Sequence, residues 1–231
     1  MEQNLDFGAK IVFKLFEVNG QAIYITQTHI NTWIIIGFLT VIALILNAKI
    51  KKFKDIPESK LQNVVELIAD IFGNFTASTM GEKNRGFCYF YGPLFIFILM
   101  CNLSGLVGLR PPTADLGTTL AFGLTTFFMI HGLGVKAKGP GYFKFLLEPV
   151  PLLLPLNLIG EVATPVSLSF RLFGNILGGT IIMGLYYAMM PWLLTLGLPA
   201  VFHLYFDVFA GALQTLIFVM LSMTFVSSAM E

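Results

Sequence analysis

Charge is what this sequence lacks most. Only 12% of its 231 residues are Asp, Glu, Lys or Arg, where a soluble domain carries about 25%. Half the usual charge leaves too little polar surface to coat a water-soluble particle, so a lipid bilayer must be part of the solvent. The formal net charge is +1, which gives no electrostatic case for a nucleic-acid partner. Cysteine is scarce as well. Cys88 and Cys101 lie in or beside one apolar run, with no CxxC spacing and no metal-ligand company. They read as small apolar residues, and neither a metal nor a cofactor is expected. The three histidines are scattered, and HExxH and GxSxG are both missing. The sets that metal-dependent or nucleophilic catalysis needs are therefore absent. Residues Met1 to Gly20 mix acidic and basic side chains without a long apolar core, unlike a cleaved signal peptide. No internal repeat, low-complexity segment or soluble domain is visible.

What is present is apolar: 56% of the chain, with a mean hydropathy of +0.79. Ile30 to Ala48 carries no charge and has about the 20 residues that a span requires. It stops at Lys49, Lys51, Lys52 and Lys54, a cluster that marks the cytoplasmic side. In residues 61–80, Leu61, Val64, Val65, Ile68, Ile71, Phe72 and Phe75 follow helical spacing, with Glu66, Asp70 and Asn74 on another face. That pattern predicts an amphipathic helix on the cytoplasmic surface. Phe87 to Leu109 is the second expected span. Arg110, two prolines and Thr113-Ala-Asp115 form an outer turn, and Leu116 to Val135 is the third span, interrupted only by His131. Ten of the fourteen Lys and Arg then fall inside, and Lys10, Lys14 and Arg110 fall outside, as the positive-inside rule asks.

Glu148-Pro-Val-Pro151 and Pro155 break any helix before about Leu156. From there to Met190 one helix-compatible stretch would run roughly 50 Å at 1.5 Å per residue. The hydrocarbon core is only about 30 Å thick. A second overlong stretch, Trp192 to Met230, follows Pro191. The expected fold is all-α and integral to the membrane, a single domain over residues 1–231. It has about five membrane-embedded helices, one surface helix, and a long, steeply tilted hairpin (156–190 and 192–230) at its end. The N-terminus is expected outside and the C-terminus in the cytoplasm.

The hairpin holds polar groups that lipid does not welcome: Glu161, Arg171, Asn175 and Gln214, with His203 and Asp207 nearer the start of its second arm. An Arg at mid-bilayer costs about 2.5–3.5 kcal/mol on insertion scales, and it cannot escape by losing its proton. Either it is functional or it forms a buried ion pair with Asp207 or Glu161. Ser167, Arg171, Asn175 and Gly178 recur at spacings of four and three and share one helix face. Gly174, Gly178 and Gly179 leave that face nearly bare, suited to packing within the chain or to a partner that slides past.

The run Thr164-Pro-Val-Ser-Leu-Ser-Phe-Arg-Leu-Phe-Gly-Asn-Ile-Leu-Gly-Gly179 resembles the signature of subunit a of F-type ATP synthases. Asn102, Pro111 and Thr113-Ala-Asp115 resemble the family's earlier motif, and Gln214 falls where its second-arm Gln belongs. The resemblance covers roughly Phe87 to the C-terminus. It implies a non-catalytic stator in a bacterial-type cell membrane. The implied partners are a ring of c subunits, the b-subunit peripheral stalk and the rest of the ATP synthase. It further implies two half-channels, offset around the ring, with Arg171 standing between them. Asn175 and Gln214 would hold Arg171 or line its site, while Gly174, Gly178 and Gly179 would face the ring.

The sequence also departs from the family pattern. Many bacterial members carry a Glu five positions beyond the Asn and a His on the second arm, where this chain has Thr180 and Asp207. Asp207, with His203 a turn before it, is expected to line the outer half-channel, unless His203 only anchors the helix at the interface. Many relatives carry Lys where Thr164 stands. Glu161 either serves the cytoplasmic channel or sits near the interface. His203-Leu-Tyr-Phe-Asp207 resembles sodium-driven members, although the ring chiefly sets the ion, and the proton is the default. Two rival classes remain. A secondary transporter with a midplane site predicts related halves, and an intramembrane enzyme needs a catalytic set.

Overall fold

The computed structural model describes residues 8, 10–18, 21–54, 59–147, 150–190 and 197–231. The expected breaks at Glu148-Pro149 and Pro191, and the start of the second arm at Trp192, lie outside them. Of the described residues, 86% are helical. Among the described residues, five helical stretches are long and apolar enough to cross a membrane: Gln27–Ile50, Glu82–Val107, Leu116–Lys138, Pro151–Met189 and Leu198–Met230. The protein is an all-α, multi-pass membrane protein.

One small element departs from the expectation. Strands β1 (Ile11–Val18) and β2 (Gln21–Thr26) pair antiparallel ahead of the first helix, with two irregularities in their register. Two apolar, β-branched runs separated by Asn19-Gly20 carry the usual hairpin signal, which the charged residues in this segment obscure.

Helix α1 (Gln27–Ile50) buries only Thr28, Asn31 and Ile35. Trp33, Phe38 and Leu44 stay more than half exposed, a surface that lipid covers at no cost. Helix α2 (Lys60–Met80) starts at Ser59, whose hydroxyl accepts the Gln62 N–H at 3.1 Å. Its expected apolar face divides. Val64, Ile68 and Ile71 remain exposed, while Phe72 packs edge-on against Phe95 at 5.4 Å.

Helix α3 (Cys88–Leu103) tightens into a 3₁₀ turn over Ser104–Val107 and stops at Gly108, whose φ of 74° favours glycine. A second 3₁₀ turn, Pro112–Ala114, leads to Asp115, which caps helix α4 (Leu116–Lys138) by accepting the Gly117 N–H at 3.0 Å. Helix α5 (Leu154–Met189) has 36 residues, about 54 Å of helix. Pro165 lies inside it, and Ser169 Oγ donates to the Pro165 carbonyl at 2.7 Å. The second arm is not one uniform helix. Helix α6 (Leu198–His203) widens into a π-helix over Leu204–Ala210, then continues as α7 (Gly211–Met230). π-Helical stretches often mark functional sites, and this one contains Asp207.

The core gathers Tyr91 and Ile98 of α3, Ile130 of α4, Leu168 and Leu172 of α5, and Phe218 and Met223 of α7. In lipid, apolar burial alone does not hold helices together, so close packing and interhelical hydrogen bonds must. Both are present. A Cβ on Gly123 would press on Ser169 Oγ and lie 2.6 Å from the Pro165 carbonyl oxygen, so α4 and α5 cross almost backbone to backbone. Buried Asn102 donates to the Gly211 carbonyl (3.0 Å) and Thr215 Oγ1 (2.9 Å), and accepts from Thr113 Oγ1 (2.6 Å). Thr126 and Tyr91 both reach Ser222 Oγ, at 2.9 and 3.3 Å.

Candidate functional site

The α5–α7 contact sets the central geometry. Leu168, Leu172 and Ile176 turn into the core at spacings of four, which leaves Ser167, Arg171, Gly174 and Asn175 on the exposed flank. Asn175 Nδ2 donates to Gln214 Oε1 at 2.5 Å, joining the two arms. Gln214 is buried and its Nε2 has no partner.

Arg171 makes neither a hydrogen bond nor an ion pair among the described residues. Both carboxylates that might have neutralised it inside the chain are engaged with histidines. Glu161 Oε2 lies 3.7 Å from His131 Nε2, and Asp207 Oδ2 lies 2.5 Å from His203 Nδ1. The ion-pair alternative for Arg171 is therefore not realised, and the guanidinium is presented outward.

The glycines do not all behave as the shared-face reading expects. Nothing lies within 4 Å of a Cβ added to Gly174 or Gly178. Gly179, by contrast, is buried, and its added Cβ would meet Phe206 Cβ at 3.3 Å. Gly179 thus admits the second arm rather than facing outward. It is one residue past Gly178, and 100° of helical rotation turns it into the bundle.

Two adjoining clefts lie on the side of Arg171 toward the N-terminus of α5, and only the smaller reaches Arg171 itself. One, of about 230 Å³, is lined by Thr164, Ser167, Arg171 and Phe225. The other, of about 520 Å³, shares Thr164 and Phe225 and adds Lys138, Tyr142, Lys144 and Glu161. Burial, and then the nearby Glu161 charge, push the Tyr142 phenol above its ordinary pKa, so it stays a donor. Its hydroxyl lies 3.3 Å from His131 Nδ1, and His131 Nε2 faces Glu161. On the other side of Arg171, a cleft of about 410 Å³ runs along Gly174, Asn175, Gly178 and Gln214.

The second polar cluster lies where the π-helix meets α3. His203 bridges Asp207 and the Tyr187 hydroxyl, which is 3.0 Å from Nε2. Gly105 makes room for the carboxylate: an added Cβ would sit 3.3 Å from Asp207 Oδ2. The structure thus groups Arg171, Asn175 and Gln214 in one place, His203 and Asp207 in a second, and Glu161 in a third. No direct hydrogen bond joins these groups among the described residues. His131, Tyr142, Tyr187 and Gly105 complete the outlying clusters and were not singled out from sequence. Only His131 carried a signal, as a polar residue in an otherwise apolar span.

The sequence model described as ATP synthase A chain matches residues 30–227. The chain is similar to the sodium-ion-specific ATP synthase subunit a of Propionigenium modestum, 34% identical over 222 residues, covering 89% of this chain and 74% of the relative. It is 36% identical over 217 residues to ATP synthase subunit a of Moorella thermoacetica (93% and 94% covered). To the chloroplastic subunit a of Stigeoclonium helveticum it is 33% identical over 228 residues (94% and 87%).

Proposed function

Since the chain belongs to the ATP synthase A chain family, whose subunit a is a non-catalytic membrane subunit, we propose that it is the stator of a rotary ion motor. In this reading it forms two half-channels against a c-subunit ring and couples ion flow to rotation. The observation that carries the reading is an exposed Arg171, unpaired among the described residues and flanked by clefts on both sides along α5.

The physics follows from the dielectric. A bare carboxylate in lipid is prohibitive, so a ring site facing lipid must hold its ion. Beside Arg171 that carboxylate ionises and releases the ion into one cleft, then reloads from the other before it re-enters lipid. The same fixed cation bars ions from passing straight between the clefts. Moving one charge through the membrane potential supplies about 2.3 kcal/mol per 100 mV, so several ions are needed per ATP. Gly174 and Gly178 let the ring pass close by, and Asn175 with Gln214 sets the spacing of the two arms beside Arg171. Glu161, with His131 and Tyr142, serves the path on the lysine-rich, cytoplasmic side. Asp207, with His203 and Tyr187, serves the outer one. The b-subunit stalk holds the chain against the torque of the ring.

That Arg171 has no pairing partner among the described residues weighs against a self-contained transporter, which would place its substrate site in a closed pocket. The transported ion is taken as the proton. Sodium is the second reading, favoured by the sodium-specific relative and the His203–Asp207 pair. Arg171→Lys tests the motor reading, because Lys keeps the charge but loses the planar fork and can shed its proton. The variant complex is expected to assemble with its ring and to lose ATP-driven ion pumping in vesicles. Near-normal pumping would remove Arg171 from the mechanism.

A further inference from the structure

The turn between α3 and α4 carries a second cation, Arg110, that the motor reading does not use. Its carbonyl accepts from Asn31 Nδ2 at 2.9 Å, and its Nη2 donates to the Ala114 carbonyl at 3.3 Å. Its Nε and Nη1 are buried and have no hydrogen-bond partner. Those two atoms carry three N–H groups of a permanent cation. Burying a polar group without a partner is costly, and burying a charge more so. The side chain borders a cleft of about 360 Å³ whose walls include Asp115 and, from α5, Phe173, Leu177 and Ile181. These three recur at i, i+4 and i+8, so they make one apolar stripe along the helix. Its near end, Phe173, is turned about 200° from Arg171, away from the flank assigned to the ring. Asp115 is held by the Gly117 N–H (3.0 Å) and Thr28 Oγ1 (3.2 Å), and its charge remains on the cleft rim.

A partly buried cation with two unpartnered nitrogens, beside an apolar stripe in a membrane protein, matches one ligand chemistry, a phosphodiester joined to acyl chains. We propose that this cleft binds a membrane phospholipid. Arg110 Nε and Nη1 take its phosphate, and one acyl chain lies along Phe173, Leu177 and Ile181. Asp115 on the rim disfavours the doubly charged inorganic phosphate and leaves the singly charged diester. Such a lipid would brace the α3–α4 turn against α5.

The test is native mass spectrometry of the intact ATP synthase complex, delipidated and then titrated with phosphatidylglycerol. Wild type is expected to hold one lipid more than Arg110→Gln and Leu177→Trp, each variant binding that last lipid at least tenfold more weakly. Leu177→Trp fills the stripe and keeps Arg110, so it decides alone where Arg110→Gln does not assemble. A parallel titration adds inorganic phosphate. An unchanged lipid count in either assembled variant, or displacement of the lipid by millimolar phosphate, overturns the proposal.

Discussion

At the residue scale the decisive contrast is between one paired and one unpaired kind of charge. Glu161 and Asp207 each have a histidine neighbour, whereas Arg171 has no partner among the described residues. The two carboxylates are not equivalent. Asp207 is tied at 2.5 Å to His203 and seated against Gly105, while Glu161 sits 3.7 Å from His131 in a wide cleft with Lys138 and Lys144 nearby. In the wide cleft, water and neighbouring groups can substitute for a lost carboxylate. At the Gly105 seat they have little room. Asp207→Asn is therefore expected to slow ATP-driven ion uptake more than Glu161→Gln, measured as initial rates in inverted vesicles. Equal or reversed rates would overturn the assignment of the two paths. Arg171, Asn175 and Gln214 were legible in the sequence because polar side chains in the middle of apolar helices stand out. The partnerships were not. Tyr187 meets His203 across the hairpin, and His131 meets Glu161 across two helices. No spacing within one helix encodes such a crossing.

At the scale of the elements, glycine has two opposite uses along one pair of helices. At Gly123 the α4–α5 crossing leaves no room for a Cβ, because the obstruction includes a backbone carbonyl that cannot step aside. At Gly178 an added Cβ meets nothing. Gly123→Ala is expected to destabilise the subunit by an amount typical of overpacking, about 1–3 kcal/mol, and to lower its yield in the assembled complex. Gly178→Ala is expected to leave yield unchanged. Gly178→Leu should also assemble yet slow pumping, because its bulk stands on the flank proposed for the ring. Yield in detergent-purified complex, set beside pumping rate per complex, separates the effects. Equal yields for Gly123→Ala and wild type would contradict the packing argument. The overlong arms were readable from length against bilayer thickness. The π-helix at Leu204–Ala210 was not, since widening a helix by one residue per turn leaves the apolar pattern almost unchanged. The β1–β2 hairpin was written in Asn19-Gly20 but was masked by mixed charge around it.

At the scale of the whole molecule, the membrane makes the fold unusually readable. Every backbone polar group in lipid must be satisfied within its own segment or barrel, so long uncharged runs become helices and their number follows. What the apolar pattern does not fix is which helix touches which, because lipid-facing and bundle-facing residues are equally apolar. Here the arrangement is set by sparse polar and small residues: Asn102 against Gly211, Ser222 against Thr126, and Gly123 against Pro165. The central claim is that the flank carrying Arg171 meets a moving ring, and disulfide trapping in the intact complex tests it most directly. Single cysteines would be placed at Ser167, Gly174 and Ile176, each paired with a cysteine next to the ion-binding carboxylate of the ring subunit. The account predicts rapid cross-linking from Ser167→Cys and Gly174→Cys, and none from Ile176→Cys, which is turned about 140° from Arg171 into the core. Cross-linking from Ile176→Cys without any from the other two would contradict it.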